Sequence, residues 1–265
     1  MRMWVLGSGS AGNAIVLEAG DGRVLVDAGF APRELSRRLR AVGIAPESIE
    51  SLVLTHEHHD HSRGIAAAAR WRWTVHASAG TAAALGGLTE AAVPFEGGAT
   101  VALRTMSVCS VRVAHDAVEP VAIVATAADS GARIGIAYDV GHVTPTLRTA
   151  LAELDVLVLE SNHDEGWLRA GPYPPSVRAR IAGPDGHLSN RAAAALGADC
   201  AHKRLTRIVL AHLSQRCNSP RLASDAVCAA LSRTAFRGQV LVSAQDTPLA
   251  VPPFASGTGQ LAFSW

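Results

Sequence analysis

The stretch Leu54–Gly64, LTHEHHDHSRG, sets His56, His58, His59 and His61 within six residues, with Glu57 and Asp60 among them; the whole chain has 11 histidines. Imidazole nitrogens and carboxylate oxygens are donors for Zn2+, Mn2+ or iron. The chemistry such a spacing suits is metal-assisted hydrolysis. The loop follows an apolar run, Leu52–Leu54. In its extended part alternate residues face one side, so His56 and His58 can share one ion. Where the chain turns into a helix, Asp60 and His61 point elsewhere and can share a second. His59 and Glu57 fall on the other side. The zinc-protease pattern H-E-x-x-H fails here, because Asp60 stands where its second histidine is required. The remaining rival is a solvated polar loop without metal, which leaves four clustered histidines behind a buried strand as coincidence.

One loop has too few donors for two ions, so others must come from distant strand ends. His115 follows VRVA, Asp139 follows RIGIAY and His212 follows RIVLA. Singly, each is an ordinary strand-end residue meeting solvent. Together they complete two sets: His56, His58 and His115 for one ion, Asp60, His61 and His212 for the other, with Asp139 bridging. Two cations about 3.5–4 Å apart share a water, lower its pKa toward neutrality and stabilise charge on a phosphoryl group. The expected nucleophile is therefore a metal-bridging hydroxide, with Asp60 orienting it.

Many strands are needed to position these donors. Apolar runs between turn residues predict strands at Met3–Leu6, Ala14–Glu18, Arg23–Asp27, Leu52–Thr55, Thr74–His76, Val101–Leu103 and Val108–Ala114. Others follow at Val121–Ala127, Arg133–Tyr138, Val156–Glu160, Arg207–Leu210 and Gln239–Val242. Asp21-Gly22 reads as a hairpin turn. Helices are expected from Pro32 to a stop at Gly43, and over His61–Trp71, Ala79–Leu85, Thr144–Ala152, Ser176–Ile181, Ser189–His202 and Pro220–Arg233. Strand runs with single helices between them predict an α/β architecture, sheets inside and helices outside. No repeat or linker divides the chain, so one domain over 1–265 is expected.

Composition narrows the function classes. With 48% apolar and 18% charged residues and a net charge of +1, the chain can bury a large core and is no general polyanion trap. Charge is nonetheless uneven: Gly166–Arg221 holds nine Arg/Lys against two acids. Arginine suits phosphate contacts, and genome base composition gives the same bias. The four cysteines (109, 200, 217, 228) lack a C-x-x-C and predict a reducing compartment, hence the cytoplasm. No run approaches the roughly 20 apolar residues of a membrane span, and no obligatory protein partner is evident.

The set His56-x-His58-x-Asp60-His61, His115, Asp139, His212, with LVDAG at Leu25–Gly29, resembles the metallo-β-lactamase superfamily. LGSGSAGNAIVLEAG, ESNHDEGWL, GPYPPSVRARI, GHLSN and AHLSQRCNSP are similar to the bacterial YycJ/WalJ family. The departures are Ala11 in place of an expected Ser and Cys217-Asn218 in place of Asn-Asn. The resemblance implies a four-layer αββα sandwich, a dinuclear centre and phosphodiesterase activity, as an exonuclease on DNA recognising 5′ ends. It implies that Asp27 orients the metal loop from behind. Zn2+ is the first expectation for the pair of divalent ions and Mn2+ the second.

Substrate contacts are expected from Asn162, His163, His187, Ser189 and Asn190. His187 is placed to protonate a leaving oxygen or hold a phosphate. Ser189 or Asn190 fits a helix N-cap equally well, and Asn162 and His163 fit a strand-end turn equally well. Asn13 either braces the metal loop or only forms a turn. His76, His142 and His202 read as surface or supporting histidines. A small-molecule hydrolase of the same fold, acting on a cyclic phosphate or thioester, is the alternative; near-neutral total charge favours it.

Overall fold

The structure is a computed structural model describing residues 1–86, 92–96 and 98–254. The other positions of the span 1–265 lie outside the described residues. The first sheet takes β1 (Arg2–Gly7), β2 (Ala14–Ala19), β3 (Gly22–Val26), β4 (Ser51–Val53), β5 (Thr74–Ser78) and β6 (Val93–Phe95) in chain order. The second takes β7 (Thr100–Ala102), β8 (Met106–Arg112), β9 (Val121–Ala127), β10 (Arg133–Ala137), β11 (Val156–Glu160), β12 (Arg207–Ala211) and β13 (Gln239–Val242). The last strand, β14 (Leu249–Val251), returns to the first sheet beside β1. Each sheet has seven strands.

Alternation along the strands explains the layering. Residues on one face of a strand recur every second position. Val5, Ile15, Leu17, Val24 and Val26 of the first sheet meet Ile123, Ile134, Val156, Val158 and Val209 of the second in one apolar layer. The intervening Val16, Leu25 and Leu52 face outward onto Leu35 and Leu39 of helix α1 (Pro32–Ala41). On the far side Leu157, Leu159, Ile208 and Leu210 pack against helices that include Leu147, Leu196 and Val227. Strands buried on both faces read as unbroken apolar runs, which is how β11 and β12 appear in the sequence. Three apolar interlayers make four layers, αββα.

Strand direction places the donors. β3, β4 and β5 run parallel, as do β10, β11, β12 and β13. β8 is antiparallel to β9, and β9 to β10, so β8 shares the direction of β10. The segments that follow β8, β10 and β12, and the last residue of β11, therefore emerge at one edge of the second sheet.

The structure departs from the expected elements in four places. The hairpin turn is Gly20-Asp21, because Ala19 pairs with Gly22, and the positive φ belongs to Gly20. The helix expected over His61–Trp71 is two helices, α2 (His59–Ser62) and α3 (Ala66–Trp71). Gly64 lies at the break, where its amide donates to the Ala28 carbonyl and a Cβ would collide with the Phe30 carbonyl. Strands β6 and β14 were not expected; each has three residues, too few for alternation to register. The helix expected over Ala79–Leu85 is α4 (Ala79–Leu85), with the same bounds; those expected over Thr144–Ala152, Ser176–Ile181, Ser189–His202 and Pro220–Arg233 are present with shifted ends as α5 (Pro145–Ala150), α7 (Pro175–Ile181), α8 (Asn190–Asp199) and α9 (Pro220–Leu231); between α5 and α7 lies α6 (Glu165–Ala170), which was not expected.

Candidate metal centre

The loop after β4 is built around Asp27. This carboxylate follows β3 in the left-handed region, at φ 59°. Its Oδ1 accepts from the Thr55 amide at 2.8 Å, and its Oδ2 accepts from the Thr55 hydroxyl at 2.8 Å and the Tyr138 hydroxyl at 2.6 Å. His61 Nδ1 donates to the same oxygen at 2.7 Å. That bond assigns the tautomer and leaves His61 Nε2 as the donor atom for a cation. Asn13 braces the loop from the other side: its amide nitrogen lies 3.1 Å from His61 Nε2 and 3.4 Å from the Asp60 carbonyl.

The other rings are oriented in the same way. His56 Nδ1 lies 3.0 Å from Thr55 Oγ1, which turns Nε2 inward. His115 Nδ1 donates to the Gly186 carbonyl at 3.1 Å, and its Nε2 faces His58 Nδ1 at 3.3 Å. His212 Nδ1 donates to Glu160 Oε1 at 3.0 Å, and its Nε2 lies 3.4 Å from Asp60 Oδ2. Donor atoms of His56, His58 and His115 lie within 4.8 Å of one another, as do those of Asp60, His61 and His212. Both expected sets therefore assemble. Asp139 stands between them, its Oδ2 2.7 Å from His61 Nε2 and its Oδ1 3.8 Å from His115 Nε2. Like Asp27, Asp139 (φ 54°) and His212 (φ 54°) take the left-handed conformation, a strain that collects at functional sites.

Whether this cage suits a cation is tested by its unpaired atoms. His56 Nε2 and Asp139 Oδ2 are buried without a hydrogen-bond partner. Such an atom costs about 1–3 kcal/mol unless something satisfies it. His61 Nε2 and Asp139 Oδ2 approach to 2.7 Å, which needs positive charge between them, a second ring proton in the metal-free protein or a cation in its place. A divalent ion provides it and satisfies both orphaned atoms. The donor set is His and carboxylate throughout, with no thiolate, as borderline divalent cations prefer.

The electrostatics agree. Burial, with His61 next, pushes His56 well below the usual imidazole value, so its lone pair is free. Burial opposes charge on His61, yet Asp139 and Asp27 outweigh it and raise that ring well above normal. Burial likewise opposes charge on His212, and Asp139, Asp60 and Glu160 overcome it, raising the ring to about 9. Burial works against ionised Asp139, while His212 and His61 hold it well below the ordinary carboxyl value.

Glu160 is a site residue the sequence reading missed. It ends β11 fully buried. Its Oε1 accepts from His212 Nδ1 and, at 2.8 Å, from His187 Nδ1. Its Oε2 accepts from the amides of Val140 at 2.9 Å and Leu188 at 3.1 Å. Burial penalises its charge, but His187 and His212 dominate and hold it at about 2. A carboxylate terminating the apolar run VLVLE is the same signal that picked out Asp139. Tyr138, read only as a strand residue, is the second omission.

The expected substrate contacts divide. His187 is at the centre, 3.2 Å from Asp139 Oδ1; burial opposes its charge, and Glu160 and Asp139 raise it well above normal. His163 and Ser189 line the adjoining pocket, and Ser189 also caps α8 by accepting from the Ala192 amide. Asn162 and Asn190 do not line that pocket. Asn162 is buried with its amide on the His212 carbonyl at 3.0 Å. Asn190 is buried in a network with Ser161 and Asn218. Both brace the loops beneath the centre. His142 lies at the surface as expected, whereas His76 is buried in β5 with neither ring nitrogen paired.

Comparison with known proteins places this geometry. The model of the metallo-beta-lactamase superfamily matches residues 7–146. Exodeoxyribonuclease YycJ of Bacillus anthracis is 30% identical over 254 residues, covering 94% of this chain and 96% of that protein. Exodeoxyribonuclease WalJ of Streptococcus pneumoniae serotype 2 is 31% identical over 227 residues, covering 83% and 84%. Among solved structures, the metallo-beta-lactamase fold protein YhfI of Bacillus subtilis superposes with a TM-score of 0.71 at 16% identity, over 95% of this chain and 100% of the other. Human tRNase Z short form superposes with a TM-score of 0.66 at 16% identity, over 96% and 100%. Two sheets in an αββα stack, histidine and aspartate donors gathered at their shared edge, and a sequence match over half the chain make one statement: this chain belongs to the metallo-beta-lactamase superfamily, a metal-dependent hydrolase among its members.

Proposed function

We propose that this hydrolase is a dinuclear phosphodiesterase that degrades DNA from 5′ ends. The observation that carries the reading is the pair of donor clusters, His56/His58/His115 and Asp60/His61/His212, meeting at Asp139. The relatives named as exodeoxyribonucleases, similar over most of the chain, support DNA as substrate. When bound, two divalent cations, Zn2+ or Mn2+, supply hydroxide at neutral pH and neutralise charge on the phosphoryl oxygens.

The chain's own residues do the rest. Asp60 is partly open to the site and accepts the nucleophile's hydrogen bond, fixing its direction of attack. Asn13 and Asp27 prevent the loop from yielding. Burial opposes charge on His187, but in the metal-free protein Glu160 and Asp139 raise it well above the usual imidazole value; as a general acid it donates its proton to the leaving oxygen. Arginines of Gly166–Arg221 hold the polyanion. No helix among the described residues is long and apolar enough to cross a membrane, in keeping with action on DNA in the cytoplasm.

The test is a panel: 5′-phosphorylated duplex DNA, RNA, bis-p-nitrophenyl phosphate and a thioester, each with metal-loaded protein and with chelator. DNA hydrolysis abolished by chelator and weakened steeply by salt is expected. Intact DNA and RNA beside a cleaved thioester or small phosphodiester would instead establish the small-molecule reading.

A further inference from the structure

The loop Ser8–Asn13, between β1 and β2, meets one of the two donor sets from both sheets. Asn13 holds the side of the first sheet. Its backbone amide donates to the Asp60 carbonyl at 2.8 Å, and its side-chain amide lies 3.4 Å from Asp60 Oδ2 and 3.1 Å from His61 Nε2. Ser8 holds the side of the second sheet, where its hydroxyl accepts from the His212 amide at 2.9 Å. The two ends are tied together, because the Ser8 hydroxyl donates to Asn13 Oδ1 at 2.8 Å. Asp60, His61 and His212 therefore all rest on this loop. The rings of His56, His58 and His115 do not; among the described residues they are oriented by Thr55, Gly186 and one another.

The loop's own sequence does little to keep it in shape. Gly9 and Gly12 stand at φ 147° and 151°, and glycine leaves the chain the most freedom to lose on folding. What fixes the loop comes from the far end of the chain. Gln245, in the segment between β13 and β14, is 8% exposed. Its Oε1 accepts from the Ala11 amide at 2.8 Å, and its Nε2 donates to the Gly12 carbonyl at 2.8 Å. That is a two-point clamp on the backbone. Gly9 lies flat against it, so close that a Cβ there would stand 2.6 Å from Gln245 Oε1. The clamp is itself seated. The Gln245 carbonyl accepts at 2.8 Å from Nη1 of Arg38, a buried guanidinium that lies 4.0 Å over the Phe30 ring and donates also to the Leu6 carbonyl at 2.8 Å. Beside it the Ala244 carbonyl accepts from the Ser8 amide at 3.1 Å.

We infer that Gln245 is a positioning residue for one ion of the pair, the ion of Asp60, His61 and His212. It latches the loop on which all three donors rest, and so sets the occupancy of that ion and not of the other. The inference rests on the dinuclear reading above. Donor atoms hold a cation tightly when their directions are set beforehand, and the groups standing behind a ligand change metal affinity by about 10–100-fold. Gln245 stands one step further back, behind Ser8 and Asn13, which places its effect at the lower end of that range. The His56, His58 and His115 set takes its orientation from groups the latch does not touch.

The experiment titrates Zn2+ into the metal-free full chain, by calorimetry and by competition with a chelating dye. It compares wild type with Gln245→Met, Gln245→Glu and Asp246→Ala. Methionine is similar in size and makes neither bond; glutamate keeps the acceptor for Ala11 and sets an oxygen against the Gly12 carbonyl. Asp246, next in the chain with a side chain 82% exposed, controls for disturbance of the segment. Wild type and Asp246→Ala should take up two ions per chain. Each Gln245 variant should hold one ion as wild type does and the other about tenfold less tightly. A general loss of stability would weaken both ions, so the difference between them reports positioning. Crystals of a Gln245 variant at limiting Zn2+ identify the ion that stays, which should touch His56, His58 and His115. Two ions held as in wild type, two ions weakened alike, or a remaining ion on Asp60, His61 and His212 would overturn the latch and leave the dinuclear reading standing. Failure of both Gln245 variants to fold would also overturn it, by giving the side chain to the fold rather than to one site. A single ion in wild type would remove both readings.

Discussion

At the scale of residues, the site is a set of imidazoles whose free nitrogens are decided by what stands behind them. Asp27 fixes His61, Gly186 fixes His115 and Glu160 fixes His212. His61 and His212, raised by the facing carboxylates, hold protons at pH 7 in the metal-free protein. A ligand nitrogen must give up its proton, so metal binding should release roughly two protons at pH 7. Affinity should climb with pH through the loss of the His212 proton near 9 and for as long as His61, also raised well above normal, still holds its own. Calorimetry in buffers of different ionisation enthalpy measures this; uptake, or no exchange, would show that the rings are neutral beforehand. Glu160→Gln removes the charge that both His187 and His212 lean on, and a change of this kind should weaken metal binding about 10–100-fold, read by competition with a chelating dye. In the metal-free protein Glu160 has the opposite sign of linkage. Its folded pKa, about 2, lies below the ordinary glutamate value of 4.5, so its stabilisation is full above 4.5 and is lost as pH falls toward 2. The loop histidines were legible in sequence because they are crowded. Glu160 carries the strand-end signal of Asp139, but its partners lie 27 and 52 positions away, so the signal alone did not tie it to the site.

At the scale of elements, turns rather than strands hold the donors. Gly29 is wedged where its amide donates to the Asn13 carbonyl at 2.9 Å, and a Cβ there would run into the carbonyl oxygen of Asp60. Gly29→Ala should cost about 1–3 kcal/mol of stability, as overpacking does, and should weaken metal binding by pushing on Asp60. Urea unfolding and metal titration check the pair of effects; a stability loss with unaltered metal affinity would detach Gly29 from the site. The same kind of close contact explains the misread helix. The apolar spacing from His61 to Trp71 is helical, but Gly64 must approach the Phe30 and Ala28 carbonyls, and that contact between distant segments breaks the run. Strands such as β2, β9, β11 and β12 were visible in the sequence because burial on both faces makes continuous apolar runs. β14 was invisible because it is short and its partner, β1, lies at the other end of the chain.

At the scale of the whole molecule, two sheets with one shared apolar layer carry donors from both sides to a common edge. The described residues therefore lose the site and the layer together. Unfolding should be a single cooperative transition, and removing metal should lower Tm, since a ligand bound only by the folded state stabilises it; two transitions in a calorimetric scan would show instead that the sheets unfold separately. The α/β class, with sheets inside and helices outside, followed from the order of strands and helices in the sequence, and the four-layer stack from the family resemblance. The pocket beside His187 did not, because α6 was not expected and the arginines that line it are brought together by packing. The most direct test of the account is an anomalous difference map from crystals of metal-replete protein. It should show two peaks about 3.5–4 Å apart, one touching His56, His58 and His115, the other Asp60, His61 and His212, with Asp139 reaching both. One peak only, or peaks that avoid these side chains, would contradict it.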